Sequence, residues 1–158
     1  SMVFSLFYSK RRKNQDILSS ELFNEATFYK SFIKDLKRAR KSVVIESPFL
    51  TESRSYLLAN VFRKLKKRGV KVTIYTRSPK HQTYRLRAQA VESIYILRDS
   101  GATVFECYDY RHRKIAIIDK QTLWEGSLNI LSQSKSREIM RRIVSPPLAK
   151  QMLHIIRS

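Results

Sequence analysis

The sequence predicts an α/β fold in which helices cover the faces of a mainly parallel sheet. Short segments rich in β-branched residues alternate along the chain with longer segments whose apolar residues recur every three or four positions. A strand, helix, strand, helix, strand order requires crossover connections, which make the strands parallel and place the helices on the sheet faces. With 158 residues and 42% hydrophobic content the chain can bury a core, so we predict one domain over residues 3–158.

The periodicity assigns the elements in order. Strands are predicted at residues 42–47, 70–76, 102–106, 115–118, 122–124 and 138–144, and an edge strand can form at residues 3–8. Helices are predicted from residue 24, over residues 51–68 and 84–99, and over residues 148–156 after two prolines. The core faces of the two long helices are predicted to be Leu57, Leu58, Val61, Phe62 and Leu65, and Leu86, Ala90, Val91, Ile94 and Leu97.

Charge is the strongest compositional signal. The chain carries 32 Lys and Arg against 13 Asp and Glu, a net charge of +19, and residues 10–13 form a basic run. So large a surplus attracts polyanions and costs stability through self-repulsion, which favours a function that uses the charge. We expect nucleic acid as the partner first and an anionic membrane surface second. A basic surface that serves only solubility is the third alternative.

Cysteine, histidine and hydropathy limit the kinds of site and the location. The single cysteine, Cys107, excludes an internal disulfide and agrees with a reducing compartment, so we expect a cytoplasmic protein. Three histidines and one cysteine show no zinc-ligand spacing, and we predict neither a metal nor a cofactor. Residues 3–8 are too few to cross a bilayer, so we expect no stable membrane insertion. Ser1-Met2 is typical of a cloning remnant, and the chain can belong to a longer protein with further domains.

Residues 112–129, HRKIAIIDKQTLWEGSLN, contain the most informative pattern. His112 and Lys114 lie two residues apart, so on an extended strand they project from the same face. The apolar run at residues 115–118 is typical of a strand covered on both faces. Asp119 and the lysine after it then supply a turn into a returning strand.

The returning strand is predicted to bring Gly126, Ser127 and Asn129 beside His112. Gly126 lets the backbone come close to a ligand, and Ser127 and Asn129 can donate hydrogen bonds to oxygen atoms. A lysine, an amide, a hydroxyl and an imidazole at one place form a receptor for a tetrahedral oxyanion, of which phosphate is the usual one. The alternative is a surface hairpin with a structural histidine, which the complete constellation disfavours.

The spacing of these residues resembles the signature of the phospholipase D superfamily. That signature is His-x-Lys, four residues, Asp, six residues, Gly-Ser-x-Asn, and every fixed position matches. A chance match at six fixed positions is on the order of one in a million. The resemblance implies a three-layer α/β/α sandwich with a central mixed, largely parallel sheet. Small single-motif proteins that resemble this one are commonly nucleases, including modules attached to bacterial helicase-like proteins.

The resemblance also implies a mechanism. Histidine attacks phosphorus, and water cleaves the resulting phosphohistidine in a second step. Two motifs make one active site in the family, and the second histidine protonates the leaving oxygen. Because neither His81 nor His154 belongs to a second motif, we expect a homodimer that pairs His112 of both copies. The side chains expected to hold the phosphoryl oxygens, without a metal, are Lys114, Ser127 and Asn129.

Other candidate residues complete this hypothesis. Single-motif members use a carboxylate downstream of Gly-Ser-x-Asn to orient the nucleophilic histidine; Glu138 is the candidate here, with Glu125 as its rival and a surface salt bridge as the alternative. Asp119 is expected to be structural, within the turn or bonded to backbone groups. Ligands gather beyond the carboxyl ends of parallel strands, so we predict nucleic-acid contacts from the loops there. The candidates are Phe49, Arg77, Tyr108, Tyr110, Arg111 and Arg113.

These observations predict a metal-independent phosphodiesterase that cleaves DNA or RNA, with a preference for single strands. The charge favours a polyphosphate chain, since each neutralised phosphate releases counterions. A phospholipase D or cardiolipin hydrolase is the alternative enzyme, but the sequence shows no amphipathic anchor to deliver acyl chains. A module that tethers a larger enzyme to nucleic acid, without cutting it, is the third alternative.

Overall fold

The computed structural model describes residues 17–158, which form a seven-stranded sheet and four α-helices. The strands are β1 (Ser19–Asn24), β2 (Ser42–Glu46), β3 (Lys71–Arg77), β4 (Thr103–Cys107), β5 (Lys114–Ile118), β6 (Thr122–Gly126) and β7 (Ile139–Val144). The helices are α1 (Phe28–Lys37), α2 (Glu52–Lys67), α3 (Tyr84–Asp99) and α4 (Pro146–Arg157). The edge strand predicted at residues 3–8 and the basic run at residues 10–13 lie outside the described residues.

The sheet is mixed, with the strand order β1-β7-β6-β5-β2-β3-β4. Strands β2, β3 and β4 are parallel, as the crossover order predicts. From β2 outward on the other side, β5, β6, β7 and β1 each pair antiparallel with their neighbour. Four of the six strand pairings are therefore antiparallel, so the sheet is mixed as predicted but not largely parallel, because a hairpin and not a crossover joins β5 to β6. The hairpin of β5 and β6 is therefore the element that joins the parallel half of the sheet to the antiparallel half.

The reversal between β2 and β5 decides which loops meet. Glu46 at the end of β2 pairs with Ile115 near the start of β5, so the residues before β5 lie beside the carboxyl ends of the parallel strands. The loops that follow β3 and β4 are joined there, since the backbone N–H of Ser78 donates to the carbonyl of Cys107 at 2.8 Å. The two halves of the sheet thus contribute loops to the same end.

Three helices cover one face of the sheet, and α4 covers part of the other. The larger core contains Phe28 and Phe32 of α1, which stack at 5.1 Å and lie edge-to-face with Trp124 of β6. Asp35 accepts a hydrogen bond from the indole of Trp124 at 2.8 Å and two from Arg142. A smaller core forms where Leu153 and neighbouring residues of α4 pack on the opposite face. These layers agree with the predicted α/β/α arrangement.

Three predicted core residues are instead well exposed: Leu57 at 45%, Leu86 at 39% and Val91 at 42%. Helices α2 and α3 pack against each other, and the fully buried residues on these helices include Ser55, Ala59, Ala90 and Ser93. Small and weakly polar residues allow close helix packing but add little to a hydropathy pattern. The sequence pattern therefore assigned nearby large apolar residues to the core face of each helix in place of these small ones.

One strand and the start of two helices also differ from the prediction. Strand β1 was missed because most of its residues are exposed and several are polar. Helix α1 begins at Phe28 rather than near Asn24, since the side chain of Asn24 accepts hydrogen bonds from the backbone N–H groups of Ala26 and Thr27 and forms a turn. Helix α4 begins at Pro146 because proline needs no N–H partner in the first turn of a helix.

The turn between β5 and β6 is tied to the start of β2. Asp119 and Lys120 both adopt left-handed backbone conformations, with φ values of 55° and 53°. The carboxylate of Asp119 accepts hydrogen bonds from the backbone N–H groups of Arg40 at 3.0 Å, Lys41 at 2.7 Å and Ser42 at 3.1 Å. The motif aspartate thus fixes the far end of the hairpin to the loop before β2.

The helices of residues 17–158 are all too short or too polar to cross a lipid bilayer.

Candidate active site

His112 lies in the loop just before β5, at the carboxyl end of the parallel strands. We expected His112 and Lys114 to share one strand face, but the strand begins only at Lys114. The side chain of Lys114 folds back, and its Nζ donates to the carbonyl oxygen of His112 at 2.7 Å. Lys114 is buried while His112 is exposed. The lysine therefore positions the histidine backbone and places a positive charge beside an accessible imidazole.

Arg77, at the end of β3, holds the loop that carries His112. Its Nη2 atom donates to the carbonyl oxygens of Tyr110 at 3.2 Å and Arg111 at 3.0 Å. The same atom lies 3.5 Å from Nδ1 of His112, at the limit of hydrogen bonding. The backbone of Tyr110 is left-handed, with φ of 54°, so the two carbonyl contacts hold a conformation that a tyrosine rarely adopts. The structure thus gives Arg77 a positioning role in this loop.

Glu46 fixes the same loop from the other side, and sequence reasoning did not single it out. Its side chain is fully buried and accepts hydrogen bonds from Nη1 of Arg111 at 3.0 Å and Nε of Arg113 at 2.7 Å. Arg111 also pairs with Asp109 at 2.7 Å. The hydrogen bond from the Arg111 side chain lowers the pKa of Asp109 to about 2. The side chain of Arg111 is only 8% exposed, so it serves the loop rather than a ligand, whereas Arg113 remains 41% exposed.

The aromatic candidates divide into two groups. Phe49 is half-buried, lies edge-to-face against the His112 ring at 6.1 Å and receives the guanidinium of Arg77 at 5.1 Å. Tyr108 and Tyr110 are exposed, and Tyr110 stacks on the ring of His81 at 4.4 Å. Phe49 therefore packs against the imidazole, while the two exposed tyrosines pack around His81 in the loops that follow β3 and β4.

Gly126 and Ser127 form the second half of the site. In the register of the hairpin, Gly126 lies opposite Lys114, and on its other side it pairs with Met140 of β7. A Cβ at position 126 would lie 2.1 Å from the carbonyl oxygen of Ile139 and 2.9 Å from Cα of Met140. The sequence suggested that Gly126 allows a close approach to a ligand. The close approach that requires glycine is instead the one to β7. The hydroxyl of Ser127 accepts from the N–H of Ile139 at 3.0 Å and donates to the carbonyl oxygen of the same residue in a long contact of 3.4 Å.

Asn129 and Glu138 line a small cavity of about 70 Å³ next to this half of the site. The Oδ1 atom of Asn129 is buried and has no hydrogen-bond partner within residues 17–158. Glu138 accepts a hydrogen bond from the hydroxyl of Ser136 at 2.7 Å. Both side chains line this cavity at the end of the sheet where Gly126 lies opposite Lys114.

The structure does not show the expected contact between Glu138 and His112. Among the described residues, neither Glu138 nor its rival Glu125 forms a hydrogen bond with the imidazole or a salt bridge with an arginine. The group that faces Nδ1 of His112 is the guanidinium of Arg77. The negative charge of Glu138 acts instead on Lys114: burial lowers the pKa of this lysine, and the charge of Glu138 offsets part of that lowering.

Positive charge dominates the electrostatics of the site. The pKa of His112 is lowered from its ordinary value, first by the charge of Lys114, then by burial, and then by Arg77. The pKa of Lys114 is also lowered, mainly by burial. A histidine with a lowered pKa is neutral at neutral pH and has a lone pair available for attack on phosphorus.

Comparisons with known proteins identify the family and the fold. The family described as cardiolipin synthase, PLD-like domain, matches residues 32–158, so the chain belongs to the phospholipase D superfamily. No curated protein matches the sequence significantly.

Solved structures share the fold at low identity. Nuc, a phospholipase D family member from Salmonella typhimurium, gives a TM-score of 0.71 at 19% identity, over 86% of this chain and 90% of that chain. NucT from Helicobacter pylori gives 0.66 at 20% identity, over 87% and 92%. Phosphatidylserine synthase from Haemophilus influenzae gives 0.68 at 16% identity, over 94% of this chain and 40% of that one. The predicted phospholipase D-like α/β fold is therefore confirmed.

Replacing Lys114 tests the electrostatic account of the imidazole. We expect Lys114→Met to raise the pKa of His112 toward its ordinary value, because the largest cause of the lowering is removed. The unprotonated fraction of His112 at pH 6 should fall accordingly. Histidine ring resonances followed by NMR across pH 5–8 measure the shift. Lys64→Met, a change at an exposed lysine of α2, is the matched control and should leave the pKa of His112 unchanged. An unchanged or lower His112 pKa in Lys114→Met would contradict the account.

Replacing Glu46 tests whether its ion pairs hold the loop. Glu46→Gln keeps the shape but leaves two guanidinium groups without their buried counter-charge, so we expect the free energy of unfolding to fall by about 3 kcal/mol. Glu106→Gln removes the partner of Arg98 in an exposed pair and should cost at most about 1 kcal/mol. Urea denaturation measures both values, and equal losses for the two variants would show that Glu46 is not a special anchor.

Proposed function

We propose that the protein is a metal-independent phosphodiesterase that cleaves DNA or RNA through a covalent intermediate on His112. The observation that carries the proposal is an accessible imidazole with a lowered pKa, held by backbone contacts beside the cations Lys114 and Arg77. Membership of the phospholipase D superfamily, through the complete His-x-Lys to Gly-Ser-x-Asn motif, supports phosphodiester chemistry at this place.

The first step forms the intermediate. A ring nitrogen of His112 attacks phosphorus, the bond from phosphorus to the leaving oxygen breaks, and a protonated second imidazole gives that oxygen its proton. The weak contact between Arg77 and Nδ1 does not fix which ring nitrogen carries the proton before attack. Negative charge that grows on the phosphoryl oxygens is stabilised by the ammonium of Lys114 and by donors from Ser127 and Asn129.

The second step releases the product. Water attacks the phosphohistidine, gives its proton to the second imidazole, and the bond between phosphorus and His112 breaks. The first imidazole is then free again and the second is protonated for the next cycle. In this scheme side chains supply the stabilising positive charge, and no step requires a metal.

The second imidazole is proposed to come from another copy of the chain. His81 follows β3, and its ring is stacked on Tyr110, while His154 is exposed on α4, which covers the other side of the antiparallel strands. Neither belongs to a second motif. A two-fold homodimer with His112 of both copies facing one cleft supplies both functions from one sequence position.

The substrate proposed is nucleic acid, preferably single-stranded. A net charge of +19 suits a chain of phosphates better than one phosphate head group. The exposed rings of Tyr108 and Tyr110 near His112 can stack on unpaired bases. The alternative substrate class, a phospholipid, is favoured by the description of the matching family as cardiolipin synthase.

Cleavage assays separate these alternatives. We expect the protein to cut a labelled single-stranded oligonucleotide equally well with and without EDTA, to cut duplex more slowly, and to leave phosphatidylglycerol vesicles intact. His112→Ala should lower the rate at least about a thousandfold because it removes the nucleophile. His154→Ala is the matched control and should keep the wild-type rate.

Each other outcome contradicts a definite part of the proposal. Loss of activity with EDTA would remove the metal-independent mechanism. Hydrolysis of vesicle lipid without cutting of oligonucleotide would establish a phospholipase, and tight binding of uncut oligonucleotide would establish a binding module. If His81→Gln lost activity as fully as His112→Ala, the second imidazole would come from within the chain rather than from a partner.

A further inference from the structure

A second positively charged surface lies at the end of the sheet opposite His112. It is a cleft of about 540 Å³ between the amino ends of β2 and β3 and helix α4. The cations that line it are Lys41, Lys71, Lys120, Lys150 and Arg157. Within the described lining, Asp119 is the one carboxylate, and the three backbone N–H groups at residues 40–42 already satisfy it. The cleft therefore presents a concentrated and largely uncompensated positive charge.

The floor of this basic cleft is the sheet face that α4 covers only in part. Val44 of β2 and Thr73 of β3 form the floor, and Pro146 and Leu153 of α4 form one wall. Leu153 packs in a core with Val44 of β2 and residues of β5, β6 and β7, and Tyr75 of β3 is partly buried against this core. The edge strand β4 is left open on this face, where Thr103 and Phe105 are exposed.

An aromatic pair continues the same face toward the catalytic loop. Tyr75 and Phe105 are register partners on β3 and β4, and their rings stack at 5.1 Å with an interplanar angle of 27°. Phe105 is 47% exposed although it is a large apolar residue. At the far side of the pair, the guanidinium of Arg111 lies 5.5 Å from the Tyr75 ring, one residue before His112.

These features follow one another along one face of the sheet, and we call them the strip. From Lys71 to Tyr75 the strand rises about 13 Å, at roughly 3.3 Å per residue. Along that length the clustered cations give way to the exposed ring of Phe105, which stacks on the half-buried Tyr75, and then to the loop of His112. Proteins that bind single strands combine a positive groove for the backbone with aromatic side chains on which bases stack.

We propose that this strip, from the basic cleft through Phe105, binds a single-stranded nucleic acid and leads it toward His112. The proposal rests on the proposed function and adds a binding surface remote from the reacting atoms. Charge complementarity identifies the occupant: the clustered cations of the cleft attract a polyanion, and the basic run at residues 10–13 would be repelled from it. A concave cleft also suits a flexible strand better than a flat lipid surface.

Binding measurements with matched charge variants test the proposal. In a His112→Ala background, which prevents cutting, fluorescence anisotropy of a labelled single-stranded 20-mer is followed from 50 to 400 mM salt. The cleft variant replaces three lysines by glutamine at positions 41, 71 and 150. The control variant removes the same charge from exposed lysines of α1 and α2, at positions 34, 64 and 67.

We expect the cleft variant to bind at least about tenfold more weakly at 0.1 M salt, with a salt slope shallower by about two, since each lost phosphate contact removes about 0.7. The control variant should lose less than about threefold. Phe105→Leu should weaken binding about fivefold or more without changing the salt slope, because stacking is lost while the cations stay. Tyr95→Leu, a change at an exposed tyrosine of α3, should have little effect.

Two outcomes would overturn the proposal. Equal losses in the cleft and control variants would show that only bulk charge matters. A cleft variant that keeps oligonucleotide binding but loses binding to phosphatidylglycerol vesicles would assign the cleft to a lipid surface. Failure of the wild-type protein to cut any oligonucleotide overturns the proposed function separately, because these binding comparisons do not depend on turnover.

Discussion

The buried carboxylate of Glu46 is the interaction on which the site depends. A buried charge destabilises a protein unless it is paired. The buried carboxylate of Glu46 forms salt bridges with Arg111 and Arg113. These two arginines flank His112 in the sequence, so pairing them with one fixed point at the end of β2 positions the backbone on both sides of the imidazole. Arg77 adds the third contact from β3. Strands β2 and β5 run in opposite directions, so the loop that carries His112 lies at the carboxyl ends of the parallel strands, within reach of Glu46 and Arg77.

Positive charge beside this loop is central to the proposed chemistry. Lys114, burial and Arg77 lower the pKa of His112, and in the proposed reaction the two cations lie beside the phosphodiester whose negative charge must be stabilised. In the proposed homodimer two strongly basic surfaces approach each other, and an anionic substrate between the two imidazoles offsets their repulsion. The proposed catalysis, substrate choice and assembly all rest on one electrostatic property of the chain, its excess of positive charge.

The sequence predicted the parts of this picture that are local. The motif residues, the hairpin and the bounds of α3 follow from spacing and periodicity over a few residues. The roles of Glu46, Arg77 and Arg111 did not follow, because a sequence shows that a side chain is charged and not which distant partner pairs with it. A lone acidic residue at the end of the apolar run in β2 was the signal available for Glu46. The requirement for Gly126 likewise comes from β7, more than ten residues away.

The covalent intermediate offers the most direct measurement of the central claim, a phosphohistidine in a site shared by two chains. The protein is mixed with excess oligonucleotide, quenched with base within the first turnover, and examined by intact-protein and peptide mass spectrometry. The account predicts a phosphoryl-linked adduct on His112, at no more than about one per two chains, since each shared site uses one imidazole as nucleophile and the other as acid. Rapid cutting without any adduct, or one adduct on every chain, would contradict it.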